Sequence, residues 1–155
     1  MAGFEISGLG GTSWAAVEHH IAREVGEGRM EYLGKTLWNW GIPTACSLIE
    51  VREASKGKVI ASGGLRNGHD AAKALALGAD AVGIAKPFLQ KAVEGEEALQ
   101  KHIETIIAET RICMFLSGAR NLTEMREIPV VVTGWSAEWL RARGFDTTKL
   151  ATRGR

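Results

Sequence analysis

The fold is decided by the stretch KVIASGGLRNGHDAAKALALGADAVGIA, residues 58–85. It predicts a strand at 58–62, a glycine loop at 63–68, a helix at 69–77 and a second strand at 80–85. Both strands are apolar on both faces, which is typical of a parallel sheet that is buried on each side. The stretch therefore predicts a βαβ crossover unit.

A second glycine cluster lies near the start of the chain. Gly8-Leu9-Gly10-Gly11 follows a strand predicted at 3–7 and precedes a helix predicted at 14–25, with Thr12 or Ser13 as its N-cap. The chain has 19 glycines, and the two clusters both stand at carboxyl ends of predicted strands. The position of these glycines at strand ends, rather than their number, indicates a functional role.

The remaining sequence is mostly helical in pattern. The predicted elements are helices at 30–40 and 44–53, a turn at 85–87, a long amphipathic helix from Glu94, a short helix at 122–126, an extended segment at 129–133 and a last helix from Ser136. Only three parallel strands are predicted, whereas a closed (β/α) barrel needs eight. The predicted fold class is α/β, with about three βα units of a TIM (β/α)8 barrel at 1–93, a helical segment at 94–145 and a mobile tail at 146–155.

Composition restricts the possible functions. Nineteen Lys and Arg against eighteen Asp and Glu argue against a nucleic-acid or polybasic membrane surface and favour a small-molecule substrate. Cys46 and Cys113 fall on apolar helix faces and provide neither a disulfide framework nor a CxxC metal site, so we expect a reducing, cytoplasmic setting. No apolar run approaches the roughly 18 residues of a spanning helix, and no membrane location is expected.

The glycine loops have the features of a phosphate cradle. Gly63 and Gly64 allow the backbone to approach an anion, and the helix that begins near Asn67 would supply unpaired N–H groups. The turn at Ala85-Lys86 would add further N–H groups. The alternative is that these glycines only make tight turns. A Rossmann site is disfavoured because Ser13 stands where the third glycine of GxGxxG belongs, and no GK[ST] motif occurs.

Other chemistry-bearing residues favour plainer interpretations. His19 and His20 lie in mid-helix without an HExxH motif, which favours solvated side chains over metal ligands. His69 and Asp70 stand at a helix start, where capping is favoured over catalysis. Trp14 directly follows the first glycine loop, and an aromatic wall for a ligand and simple helix packing remain equally open for it.

Four stretches together resemble type 2 isopentenyl-diphosphate delta-isomerase, the flavin-dependent enzyme. They are ISGLGGTSWAAVE at 6–18, WGIPTA at 40–45, VIASGGLRNG at 59–68 and ALALGADAVGIA at 74–85. The resemblance extends from about residue 3 to about residue 143. The first stretch is specific to these isomerases, whereas the later glycine motifs are shared more widely among flavin-binding barrels.

The resemblance implies a (β/α)8 barrel of which this chain is the carboxyl-terminal part. It also implies FMN as cofactor and the interconversion of isopentenyl and dimethylallyl diphosphates in isoprenoid biosynthesis. By matching position, the cofactor-binding residues would be Thr12 beside the flavin with Ser13 next to it, Gly63, Gly64, Leu65 and Arg66 at the phosphate, and Ala85 and Lys86. Trp14 would lie on the substrate side. Lys86 departs from the family, which often has a small or apolar residue there.

The rest of the family's machinery would lie outside this chain. The family has a Gln and a Mg2+-binding Glu near the substrate, and NADPH reduces its flavin. The resemblance places no catalytic residue and no metal ligand in this sequence. The implied partners are a diphosphate substrate, an amino-terminal half-barrel and, when complete, further copies of the protein. We expect the isolated chain to be inactive.

Two alternatives remain open. Another FMN barrel oxidoreductase, such as a 2-hydroxy-acid oxidase, would need a His and an Arg close together at a strand end, and no such pair follows Ile6-Ser7. Barrels like IMP dehydrogenase would need a nucleophilic Cys in a strand-end loop, whereas Cys46 and Cys113 both fall on predicted helices. From a different class, the chain would be a noncatalytic phosphate- or nucleotide-binding half-barrel.

Overall fold

The computed structural model describes residues 3–154. Residues 1 and 2 of the predicted barrel segment, and Arg155 of the predicted tail, lie outside the described residues. The elements are β1 (Gly3–Glu5), α1 (Trp14–Val25), α2 (Gly28–Thr36), α3 (Thr44–Ala54), β2 (Lys58–Ala61), α4 (Gly68–Ala76), β3 (Ala81–Val82), α5 (Lys86–Glu94), α6 (Glu96–Leu116), α7 (Leu122–Met125), α8 (Gly134–Ala142) and α9 (Thr148–Ala151).

The three strands form one parallel sheet in the order β1-β2-β3. This confirms the predicted crossover units, although each strand is shorter than predicted. The pairing continues past the strand ends, since the Ile6 N–H donates to the Ile60 carbonyl at 3.2 Å and the Gly83 N–H to the Ala61 carbonyl at 2.8 Å. The strands are short because the chain turns at once into the loops that follow.

Only one face of this sheet is covered within residues 3–154. Val59 and Ala61 point into the core and are fully buried, whereas Ile60, on the opposite face, is 40% exposed. The register pairs Ile60 with Glu5 on one side and Ala81 on the other, so these side chains share the open face. The expectation that both faces are buried is therefore not met in this part of the molecule.

This open face leads to a prediction about association. We expect the purified chain to self-associate, because the β1 and β3 edges have no further strand partner within residues 3–154 and Ile60 is exposed between them. Ile60→Lys should reduce the association, whereas Val131→Lys, at an exposed position outside the sheet, should not. Analytical ultracentrifugation checks both variants. A monodisperse monomer for the unmodified chain would contradict the prediction.

The helical layer differs from the sequence prediction around Pro87. A turn was predicted at 85–87 and one long helix from Glu94, but α5 already begins at Lys86. Proline is tolerated in the first turn of a helix because the N–H it lacks would have no partner there. Gly95, with a φ of 129°, separates α5 from α6. Thus the residues after β3 form a helix start and not an isolated turn.

Residues 146–154, the segment predicted to be a mobile tail, make contacts with the rest of the chain. Leu150 is buried, and its carbonyl accepts the N–H of Val130 at 2.9 Å. The Arg153 guanidinium donates to the carbonyls of Ala76 at 2.8 Å and Arg126 at 2.9 Å. A basic side chain at the carboxyl end of α4 satisfies carbonyls that the helix leaves unpaired.

Within residues 3–154, none of the helices is long and apolar enough to cross a membrane. In the same part of the chain, no group of three or more His, Cys, Asp or Glu side chains is arranged to hold a metal ion.

Candidate functional site

A cleft of about 730 Å³ lies at the carboxyl ends of the three strands. This is the edge at which open parallel sheets and (β/α) barrels bind their ligands. Its lining comes from all three strand ends and comprises Glu5, Ser7, Gly8, Gly11, Thr12 and Trp14, then Ser62 to Arg66, then Gly83 to Pro87 with Gln90. The volume falls within the range of small-molecule sites.

Of the residues predicted to bind the cofactor or to face the substrate, all but one line this cleft. Thr12, Trp14, Gly63, Gly64, Leu65, Arg66, Ala85 and Lys86 do so. Ser13 is the exception: its hydroxyl caps α1 by accepting the Ala16 N–H at 3.1 Å and donates to the Trp38 carbonyl. Ser13 therefore shapes the helix start and does not line the cleft.

The two glycine loops touch each other through their backbones. Gly63 and Gly64 have φ angles of 99° and 85°, which side-chain-bearing residues rarely adopt. A Cβ on Gly64 would overlap the Gly10 carbonyl, and one on Gly11 would lie 2.6 Å from the Gly64 nitrogen. The glycines are thus needed for contact between the loops, in addition to any approach of a ligand.

Polar groups fix the beginning of the second loop. The Ser62 hydroxyl accepts the Ser7 N–H at 3.1 Å, and the Ser62 carbonyl accepts the Gly8 N–H at 3.0 Å. The Thr44 hydroxyl donates to the Gly63 carbonyl at 2.6 Å. The loop is therefore bound to both β1 and α3 before it reaches Gly64.

The amino end of α4 offers fewer free N–H groups than the sequence predicts. Two of the N–H groups expected to be free for an anion already have partners: Asp70 donates to the Asn67 side chain at 2.8 Å and Gly68 to the Glu109 carboxylate at 2.6 Å. The Arg66 N–H donates to the Asp70 carboxylate at 3.2 Å. These bonds agree with the capping interpretation of Asp70 and leave Arg66 to act through its side chain.

Other main-chain donors at the cleft are unpaired. Within residues 3–154, the N–H groups of Gly63, Gly64, Leu65, Ala85 and Lys86 donate no hydrogen bond. The exposed side chains of Arg66 and Lys86 add two positive charges to the lining. Unpaired amides, close backbone approach and adjacent cations suit a phosphate group, so the residues present fit the phosphate end of FMN.

Four polar residues of the cleft were not predicted as site residues. Glu5 ends β1 and Ser7 follows it, Ser62 follows β2, and Gln90 lies on α5. The period-2 alternation of the strand would have found Glu5, because it shares the open face with Ile60. Gln90 was hidden because α5 itself was not predicted.

His19 and Cys46, two other residues considered in the sequence, have structural roles in the part of the chain that the structure describes. The His19 Nδ1 lies 2.9 Å from the Glu31 carbonyl and joins α1 to α2. Cys46 is fully buried in the core, and burial raises the pKa of its thiol, which opposes a nucleophilic role.

Comparison with curated proteins finds isopentenyl-diphosphate delta-isomerases. The protein from Methanothermobacter thermautotrophicus is 47% identical over 153 residues, which cover 99% of this chain and 42% of the relative. The protein from Pyrococcus abyssi is 49% identical over 140 residues, covering 90% of this chain and 37% of the relative. These matches confirm the resemblance, and the chain spans about two fifths of the length of these relatives.

Solved structures of mandelate oxidase are also similar. One, a variant with a monooxide FMN adduct, is 28% identical with a TM-score of 0.57, covering 61% of this chain and 31% of its own. Another, with 3,3-difluoro-2-hydroxy-3-phenylpropionic acid, is 27% identical with a TM-score of 0.58, covering 62% and 30%. The model of the FMN-dependent dehydrogenase family matches residues 39–131, more than half of the sequence. The chain therefore belongs to the FMN-dependent dehydrogenase family.

Proposed function

We propose that this chain is the carboxyl-terminal part of a (β/α)8 barrel that binds FMN and interconverts isopentenyl and dimethylallyl diphosphates. The observation that carries the proposal is the contact between the two glycine loops around one cleft with unpaired main-chain amides. The similarity to isopentenyl-diphosphate delta-isomerases over 99% of the chain supports this choice of reaction.

In this proposal the phosphate of FMN is held mainly by the backbone. Gly64 and Leu65, with Gly63 adjoining, line the same cleft as Ala85 and Lys86, and the N–H groups of these residues have no partner within residues 3–154. The side chains of Arg66 and Lys86 neutralise the dianion, and Thr12 contacts the flavin. When bound, FMN would supply a reducible flavin ring for proton transfer to and from the substrate.

Trp14 forms the substrate side of the proposed site. Its indole is 75% exposed and lines the cleft directly beyond Thr12, so its apolar face is available to the isoprenyl group. The catalytic Gln, the Mg2+-binding Glu and the groups that hold the substrate diphosphate would come from an amino-terminal half-barrel. That half would also cover the open sheet face at Ile60.

The wider assignments follow from the same family. We propose Mg2+ and NADPH as further requirements, assembly into a homo-oligomer when the barrel is complete, and a cytoplasmic location. We also propose that residues 1–93 form the barrel part and residues 94–145 a helical segment packed on it. The segment at 146–154 belongs with that helical layer, because Arg153 binds the end of α4.

A 2-hydroxy-acid oxidase is the second candidate, favoured by the similarity to mandelate oxidase structures. That chemistry needs a base and a cation beside the substrate carboxylate at a strand end. The segment at 7–14, which follows β1, contains neither His nor Arg. The isomerase therefore remains the better proposal.

A hybrid protein tests the proposed function. In it, this chain replaces the segment that it matches in the Methanothermobacter thermautotrophicus relative. With FMN, NADPH and Mg2+, we expect the purified hybrid to retain FMN and to isomerise isopentenyl diphosphate, because both barrel parts are then present. The 155-residue chain alone should show no turnover.

Three outcomes would contradict the proposal or one of its parts. A folded hybrid that neither retains FMN nor isomerises the substrate would exclude it. Oxidation of mandelate or lactate by the hybrid, without isomerisation, would favour the oxidase instead. Turnover by the isolated chain would show that the catalytic groups are not confined to the other half.

A further inference from the structure

The first turn of α4 lies directly against the middle of α6. The Gly68 N–H donates to the Glu109 carboxylate at 2.6 Å, whereas the Thr110 hydroxyl lies 3.3 Å from the Gly68 carbonyl and closer, at 2.8 Å, to the Ile106 carbonyl of its own helix. A Cβ at position 68 would lie 2.5 Å from the Ile106 carbonyl and 2.6 Å from the Thr110 nitrogen. The Gly68 N–H is thus held by α6, and the close packing leaves no room for a side chain at this position.

Glu109 occupies the place that an anion usually takes at a helix amino terminus. The partial positive charge of the first turn and its unpaired N–H groups favour a carboxylate there. Because Glu109 and the Asn67 side chain already accept from Gly68 and Asp70, two of the three N–H groups of this turn are occupied, and only that of His69 has no partner within residues 3–154. We therefore expect the phosphate to depend mainly on the loop amides of Gly64 and Leu65.

The loop at 63–68 is hydrogen-bonded at both ends, but its middle residues have unpaired N–H groups. Thr44 and Ser62 fix its strand end, while Glu109 fixes its helix end through Gly68. Between these points Gly64 and Leu65 make no main-chain hydrogen bond as donors within residues 3–154. A short segment anchored on both sides loses less conformational entropy when it binds an anion.

We propose that Glu109 is a positioning residue for the phosphate loop. It touches neither FMN nor substrate, and it acts by holding Gly68 so that the Gly64 and Leu65 amides keep their place at the cleft. The proposal rests on the proposed FMN site and adds a residue of α6, forty-one positions away from Gly68, to its construction. A carboxylate accepting from a main-chain N–H makes a stronger bond than a neutral acceptor.

The test compares FMN with riboflavin, which lacks the phosphate. Flavin fluorescence titrations of this chain alone, and of the hybrid, give the Kd of each flavin. We expect Glu109→Ala to weaken FMN at least ~10-fold and to leave riboflavin unchanged, because only the phosphate depends on the loop. Glu109→Gln, which keeps an acceptor oxygen, should restore most of the FMN affinity.

A matched control lies on the same helix. Glu104→Gln also removes one negative charge from α6, but Glu104 bonds only to Gln100 within residues 3–154, so neither Kd should change. If Glu109→Ala does not fold, Glu109→Asp takes its place. Asp keeps the charge and shortens the reach, so the same FMN-selective loss is expected.

The outcomes separate this inference from the proposed function. Equal losses for FMN and riboflavin, or no loss for FMN, would overturn the role of Glu109 while leaving the FMN site intact. Wild-type protein that binds FMN no more tightly than riboflavin would overturn both, because there would be no phosphate contact to position.

Discussion

A Gly64→Ala hybrid is expected to bind FMN at least ~100-fold more weakly than the unmodified hybrid, about 2.7 kcal/mol in binding free energy. Two physical effects add at this position. A non-glycine residue at a φ of 85° costs about 1–2 kcal/mol. The new Cβ also overlaps the Gly10 carbonyl, so the two loops must separate and the Gly64 and Leu65 amides lose their common position. Equilibrium dialysis with FMN measures the loss.

Gly26→Ala separates the two effects. Gly26 has a φ of 78°, close to that of Gly64, but a Cβ there meets no atom within 4 Å. This control carries the backbone penalty without the overlap, so it should lower stability modestly and leave FMN binding unchanged. If folded Gly64→Ala protein bound FMN as tightly as the unmodified hybrid, contact between the loops would not be what forms the site.

The sequence predicted the part of the site that depends on local patterns. A strand-glycine-helix segment can be identified from about twenty residues of sequence. The parallel orientation of the strands follows from the helical crossover between them. For this reason the sequence alone predicts Gly63, Gly64 and Ala85 at one cleft. Contact between the loops at Gly10 and Gly64 was not predicted, since it depends on how two distant turns approach.

The errors have the same origin. The Gly68 N–H at the start of α4 was expected to be free because its partner, Glu109, lies on another helix, whereas the partner of the Asp70 N–H is the neighbouring Asn67 side chain. The segment at 146–154 was predicted to be a tail because it follows Gly144 at the end of the last predicted helix, and no sequence pattern indicates that Leu150 is buried. α5 was missed because Pro87 looked like the end of an element when it stands at the start of one. Local patterns do not contain these long-range contacts.

Asp80→Asn is expected to lower the free energy of unfolding by about 3 kcal/mol at pH 7, because it removes one partner of a largely buried ion-pair group. The Asp80 side chain is 13% exposed and lies 3.0 Å from nitrogens of Arg52, Lys58 and Arg126. It also accepts the Val59 N–H at 2.9 Å. Asparagine leaves these cations without their negative partner at the end of the sheet opposite the cleft.

The control for this substitution is Glu53→Gln. Glu53 is an exposed residue of α3 without an ion pair in the described part of the chain, so its replacement should change stability by less than about 0.5 kcal/mol. Urea titrations by circular dichroism compare the variants at one fixed chain concentration, which keeps the contribution of association equal. Equal stability of Asp80→Asn and unmodified chain would contradict the role given to Asp80.

The same pair of proteins should also differ in the pH dependence of unfolding. The Val59 N–H, together with Lys58 and Arg126, lowers the pKa of Asp80 to about 2, below its ordinary value of 3.8. A lowered folded-state pKa means that the stabilisation is present above about pH 4 and is lost as pH falls towards 2. The stability difference between unmodified chain and Asp80→Asn should therefore be constant from pH 7 to about 4 and shrink below it. A difference that stayed the same down to pH 2 would show that shape and packing, rather than the charge of Asp80, hold α3, β2 and α7 together.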